Sequence, residues 1–125
     1  MKGQFNISFV TAGLPFGGST IFLLHLAQGL QSLGISTRIH SFTRDNPLAA
    51  EFEAAGITVR TADETRLIFE DRLASLYGNI VEFNPNVVIA NLGTDSFEML
   101  RYLPAGVIRM AMIHEQGMHA FPPRY

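Results

Sequence analysis

The sequence predicts an α/β fold, a Rossmann-like three-layer α/β/α sandwich with a mostly parallel, doubly wound sheet of about five strands. Short apolar segments alternate with amphipathic helical segments along the chain, an order typical of parallel βαβ units with right-handed crossovers. Residues 87–90 are apolar without alternation, as expected for a strand covered on both faces. The 125 residues, 47% of them hydrophobic, are enough for one domain with a substantial core.

The first predicted unit is a strand, a glycine-rich turn and a long helix. Strand 1 covers residues 5–11 and helix 1 covers residues 20–33. We expect Ser19 or Thr20 to cap the start of helix 1 and Gly34 to end it. The apolar stripe that predicts this helix consists of Leu23, Leu26, Ala27, Leu30 and Leu33.

Prolines and glycines mark the ends of the later elements. Pro47 suits the first turn of helix 2 and Gly56 suits its end, Gly78 weakens helix 3, and Pro104 stops helix 4. The predicted order is strand 2 (35–42), helix 2 (47–55), strand 3 (57–61), helix 3 (63–83), strand 4 (87–90), helix 4 (96–103) and strand 5 (107–113). Residues 115–125 are predicted to be a loop.

Composition excludes several classes of protein. The net charge of −2 without a basic run argues against nucleic-acid binding. The absence of cysteine excludes disulfides and thiolate metal sites. The N-terminal residues do not resemble a signal peptide, and no segment approaches the ~20 apolar residues of a membrane span, so we expect a cytoplasmic protein.

The turn after strand 1 is a candidate anion-binding site. A glycine-rich segment that leads from a strand into a helix offers backbone N–H groups and the positive end of the helix dipole to a ligand. Gly17 and Gly18 leave no Cβ in the way of that ligand, although a tight structural turn is the alternative. The segment 13–20 has the spacing of a phosphate-binding P-loop, but Ser19 replaces its lysine. A dinucleotide fingerprint is also absent.

Polar residues follow strands 4 and 5. Asn91 and Asp95 are candidate ligands of a polyhydroxylated acceptor, or else a turn residue and a helix cap. His114 and Glu115 follow strand 5, where a histidine can accept a hydroxyl proton or hold a sugar hydroxyl, or be structural. The spacing from His114 to His119 does not match H-E-x-x-H, so we expect no metal.

Several segments, taken in order, carry a resemblance. Residues 13–18 read G-L-P-F-G-G, and residues 23–34 follow the form L-x-x-L-A-x-x-L-x-x-x-G. A helix ending in Ala-Gly-Ile leads into strand 3, N-P-N-V-V-I-A-N covers residues 84–91, and M-I-H-E covers residues 112–115. Together these motifs resemble the N-terminal domain of the GT-B-fold glycosyltransferases of the retaining family 4 group. The chain departs from that family's pattern at Ser19-Thr20, where Ala-Glu is frequent, and at Glu115, where Asp is commoner.

The resemblance implies that residues 1–125 are the N-terminal, acceptor-side domain of a sugar-nucleotide-dependent hexosyltransferase that retains anomeric configuration. In that interpretation Gly17 and Gly18 contact the donor phosphate or sugar. His114 acts near the reacting centre, and Asn91, Asp95 and Glu115 line the pocket for a sugar, polysaccharide or lipid acceptor.

The resemblance also implies a second, C-terminal domain that holds the nucleotide. We therefore expect a truncated chain that is inactive by itself and needs no cofactor. Peripheral membrane association of the whole enzyme and a homodimer of this chain are compatible with this interpretation. The alternatives are a stand-alone Rossmann-like module that pairs with a separate donor-binding subunit, and a small phosphate-binding α/β domain unrelated to sugar transfer.

Overall fold

A five-stranded parallel sheet organises the chain. The computed structural model describes residues 4–43, 46–63, 65, 68–91 and 94–112, and only the backbone of residues 94 and 95. The elements in chain order are β1 (Asn6–Thr11), α1 (Gly18–Ser32), β2 (Ser36–Ser41), α2 (Ala49–Ala54), β3 (Thr58–Thr61), α3 (Phe69–Phe83), β4 (Val87–Asn91), α4 (Thr94–Met99), a 3₁₀ turn (Leu100–Tyr102) and β5 (Ile108–Met112). Every predicted strand and helix is present.

The sheet has the order β3-β2-β1-β4-β5, and all four pairings are parallel. β1 therefore lies at the centre, with β2 on one side and β4 on the other. Between β3 and β4 the chain passes from one edge of the sheet to the other side of β1, which is the doubly wound arrangement. The predicted Rossmann-like α/β fold is confirmed.

Alternate side chains of the central strands supply two separate cores. Phe9, Ile39 and Ile89 point towards the layer of α1 and α2, whereas Val10 and Val88 point towards α3 and α4. All five residues of β4 are buried, as its unbroken apolar pattern predicts. None of the described helices is both long and apolar enough to cross a membrane.

The first two helices end in the same way. Gly34 has φ of +86° and Gly56 has φ of +84°, a conformation that glycine adopts without a Cβ penalty. The N–H of Gly34 bonds to Gln31 and that of Ile35 to Leu30, and an equivalent pair of bonds surrounds Gly56. Both are Schellman endings, which confirms the helix stops predicted at these two glycines.

The predicted cap and stripe of α1 are partly wrong. Gly17 is the N-cap and makes no side-chain capping bond, so Ser19 and Thr20 lie inside the first turn, where a side chain cannot act as the cap. Leu23 and Ala27 are buried, but Leu33 is 76% exposed. The helix ends at Ser32, so Leu33 is no longer held on the buried face.

The third and fourth helices are shorter than predicted. α3 begins at Phe69 rather than at residue 63, because the Asp63 carboxylate accepts bonds from the backbone and hydroxyl of Thr65 and forms a local turn that competes with helix. The predicted helix over 96–103 starts at Thr94, and its last part is the 3₁₀ turn.

Arg109 ties the edge strand β5 to the end of the 3₁₀ turn. Its guanidinium donates to four backbone carbonyl groups at 2.5–3.1 Å. The acceptors are Leu100, Leu103, Pro104 and Val107. Leu100 and Leu103 lie in and directly after the 3₁₀ turn, where carbonyls lack intrahelical donors. Pro104 and Val107 lie in the loop that follows, so the arginine caps the turn and holds this loop.

Ser8 and His40 form a polar pair on the α3 side of the sheet. Both side chains are fully buried, and the Ser8 hydroxyl and His40 Nδ1 share a hydrogen bond of 2.5 Å. Burial, together with the nearby charges of Arg38 and Arg60, lowers the pKa of His40 from 6.5 to about 3. The imidazole is therefore neutral near pH 7.

We expect Arg109→Lys to lower the free energy of unfolding by about 1–2 kcal/mol in urea denaturation, because a lysine cannot serve several carbonyls in one planar fork. Arg101→Lys is the matched control, since Arg101 makes an exposed ion pair with Glu98 that contributes little. Equal losses in the two variants would contradict a capping role for Arg109.

We expect the stability of the protein to fall as the pH drops from 6.5 towards 3. The unfolded chain takes up a proton on His40 in this window while the folded chain does not, so the histidine adds a slope of about 1.4 kcal/mol per pH unit at most. The double variant Ser8→Ala, His40→Leu should flatten the slope, and His25→Gln, at an exposed histidine, should not. Unfolding measured between pH 4 and 7 checks this; an unchanged slope in the double variant would exclude His40 as the source.

Candidate functional site

The carboxyl ends of β1 and β4 lie side by side at the point where the strand order reverses, and the space outside them is called the crevice below. β1 leads into α1 on one face of the sheet, whereas β4 leads into α4 on the other. In open α/β sheets such a switch point is where ligands bind. Thr11 and Asn91, the last residues of the two strands, are direct neighbours in the sheet.

The loop between β1 and α1 is held in place by hydrogen bonds to the segment that follows β2. The Leu14 amide donates to Asn46 Oδ1 at 3.0 Å, and the Thr43 hydroxyl and amide both bond to the Ala12 carbonyl. Leu14 is itself fully buried. The loop is thus fixed by the segment that follows β2, and a ligand meets a pre-formed backbone rather than one it must order.

The end of this loop presents unused backbone donors. Gly17 has φ of +152°, a region that favours glycine, and its carbonyl accepts the Ile21 amide at 3.1 Å. The amides of Gly18, Ser19 and Thr20 donate to no acceptor among the described residues. No acidic side chain occupies the first turn of α1, so its positive end is not neutralised from within.

Space is available in front of both glycines. Apart from the adjacent residues and the backbone of α1, no described atom lies within 4 Å of a Cβ built on Gly17 or on Gly18. The absence of a side chain at these positions is therefore not required for packing within the described part of the protein. Open space beside free donors is what an anion needs.

Thr20 adds a buried hydroxyl to the same turn. Its side chain is 1% exposed, and Oγ1 has no hydrogen-bond partner among the described residues. A buried hydroxyl without a partner is costly, so Thr20 is an unsatisfied polar group in the first turn of the helix. The P-loop spacing of residues 13–20 is the sequence signal that points to Thr20. No sequence pattern near Asn46 indicates its hydrogen bonds to the loop.

The structure brings some of the predicted site residues together. Gly17 and Gly18 lie at the N-terminus of α1, and Asn91 lies fully buried at the end of the adjoining strand. By alternation, Asn91 shares the α1 face with Ile89. The backbone of Asp95 is in the first turn of α4, but its side chain lies outside the described part, as do His114 and Glu115 entirely.

The chemistry of the described site is that of neutral hydrogen-bond donors. Backbone amides and a hydroxyl suit a phosphate or a sugar hydroxyl, and no nucleophile or proton-transfer group is placed among them. In the residues that the structure describes, no group of three or more His, Asp or Glu side chains could hold a metal ion.

Comparison with known proteins supports the fold. No family model and no curated protein matches the chain. Among solved structures, the chain is similar to the C-terminal domain of PF1911 hydrogenase from Pyrococcus furiosus, with a TM-score of 0.60 over 90% of this chain and 94% of that one. The sequence identity is 14%, so the likeness is one of fold: the chain is a Rossmann-like α/β protein.

Proposed function

We propose that this chain is the acceptor-side domain of a sugar-nucleotide-dependent glycosyltransferase. The motif order of residues 9–115 supports the family, and the parallel fold is compatible with it. The observation that carries the proposal is the first turn of α1, which holds three amides without a described acceptor, a glycine pair beside open space and the unpartnered Thr20 hydroxyl.

In this proposal each part of the crevice has a role. Gly17 and Gly18 hold a donor phosphate through the backbone, because a phosphate oxygen at a helix N-terminus gains both hydrogen bonds and dipole stabilisation. The proposed role of Asn91, with Asp95 and Glu115, is to hold the acceptor, and that of His114 is to act on the transferred sugar or the acceptor. A second domain, which the resemblance implies, holds the nucleotide, and transfer of the hexose requires both.

We expect inorganic pyrophosphate, titrated into the chain, to shift the amide NMR signals of residues 17–20. Gly18→Val should weaken this binding about tenfold or more, because the new side chain fills the open space and removes one or two charge-assisted hydrogen bonds. A fold that stays intact is expected, since a Cβ at Gly18 meets nothing.

Gly29→Val is the matched control. Gly29 lies in the same helix and also has open space around it, but it is remote from the turn. Binding that is unaffected by Gly18→Val, or weakened equally by Gly29→Val, would rule out the α1 N-terminus as the phosphate site. If pyrophosphate does bind at this turn, nucleotide sugars used as second probes distinguish a site for a sugar donor from a site for simple anions.

The second candidate function is a binding module that pairs through β5. Ile108 and Met110 are 57% and 51% exposed, and the register places them beside Val87 and Ile89, on the α1 face. Exposed neighbouring apolar side chains on a sheet edge favour a contact with another chain.

We expect a homodimer if β5 is such a contact, and Met110→Lys should then raise its dissociation constant about tenfold or more by burying an unpaired charge. Sedimentation velocity at several concentrations measures this. Leu33→Lys, at a 76% exposed leucine of α1's end, is the control. A chain that stays monomeric throughout would contradict self-association through β5.

A further inference from the structure

A groove lies on the opposite layer of the protein, away from the crevice. It has a volume of about 450 Å³ and is bounded by α3 and the 3₁₀ turn. Four of its lining residues come from α3 at helical spacing and therefore form one stripe; Tyr102 forms the facing wall. The lining consists of Glu70, Leu73, Ala74, Tyr77 and Tyr102.

The lining is mostly apolar and carries one negative charge. Two apolar side chains and two tyrosine rings line the groove together with a single carboxylate, and no described cation lines it. Glu70 makes no ion pair among the described residues. A volume in this range with mostly apolar walls and one charged group is typical of a small-molecule site.

Arg101 and Arg72, which lie on the elements that bound the groove, have other partners. The Arg101 guanidinium bonds to Glu98 at 2.8 Å, and its carbon lies 5.8 Å from the centroid of the Tyr102 ring. Arg72, on α3, lies over Phe42 at 5.3 Å. Neither guanidinium pairs with Glu70 among the described residues, and the contact with Arg101 shows that the Tyr102 ring attracts a cation.

We propose that this groove binds a small organic monocation with an apolar body, such as an arylalkyl ammonium ion. The ammonium group lies against Glu70 and a tyrosine face, where both the carboxylate and the ring quadrupole attract it. The apolar body covers Leu73 and Ala74. The carboxylate would repel an anion and would gain no ionic partner from a neutral ligand. We therefore expect the groove to select ligands by their charge.

Three probes of similar shape test the charge requirement: benzylammonium, benzyl alcohol and benzoate. We expect benzylammonium to shift the ¹H–¹³C NMR signals of Leu73, Ala74 and the rings of Tyr77 and Tyr102. It should bind about threefold or more tightly than benzyl alcohol, and benzoate should bind most weakly, as expected for one exposed charge contact. Added salt should reduce the preference for the cation.

Matched variants locate the charge. Glu70→Gln should reduce the preference for benzylammonium over benzyl alcohol about threefold, whereas Glu51→Gln should not. Glu51 is likewise in the first turn of its helix, but α2 lies on the other face of the sheet. Tyr102→Leu, at a 51% exposed residue, keeps the groove apolar and should also weaken the cation by about threefold.

Several results would overturn the proposal. Equal affinity for benzylammonium and benzyl alcohol would show an apolar groove without charge selectivity. Equal effects of Glu70→Gln and Glu51→Gln would show attraction by net charge alone. Signal shifts confined to residues outside the groove, or no shifts with benzylammonium, would remove the site.

Discussion

The parallel pairing of β1 on both of its edges is the constraint on which the rest of this structure depends. Six residues of β1 are in register with β2, and five of them with β4. Because each neighbour runs in the same direction, every connection must cross back over the sheet. The connections before β3 lie on one face and those after it on the other, so the central strand ends in a crevice rather than under a helix.

The same constraint explains why the loop after β1 is well anchored. β2 ends beside β1, so the segment that follows β2 passes close to the loop and supplies bonds from Thr43 and Asn46. Asn46 also accepts the Ser41 hydroxyl and donates to the Thr43 carbonyl. One amide side chain therefore joins the ends of two strands, and the backbone donors of α1 are held in place by residues that need not touch a ligand.

The sequence is sufficient to predict the order of the elements, because apolar strands and glycine-ended helices are local signals. Gly34 and Gly56 mark their helix ends correctly, since a left-handed residue is needed there whatever packs around it. Other features depend on distant residues. The Leu14–Asn46 bond joins residues 32 positions apart, and Asp63 forms a turn where periodicity alone predicts helix. The backbone donors at Gly17 and Gly18 were predictable from the glycine-rich turn, but the unpartnered Thr20 hydroxyl and the Asn46 anchor were not.

The helix-to-strand turns at Gly34 and Gly56 make the fold sensitive to insertions and deletions. Each turn is closed by two backbone hydrogen bonds, so an added residue cannot be accommodated without shifting the strand that follows. Successive strand residues face opposite layers, so an insertion before Ser36 that slips β2 by one position would turn Ile39 towards α3 and His40 towards α1. A change of chain length at these turns would therefore reverse the direction of every side chain in the following strand. Its effect would reach both cores of the protein rather than one loop.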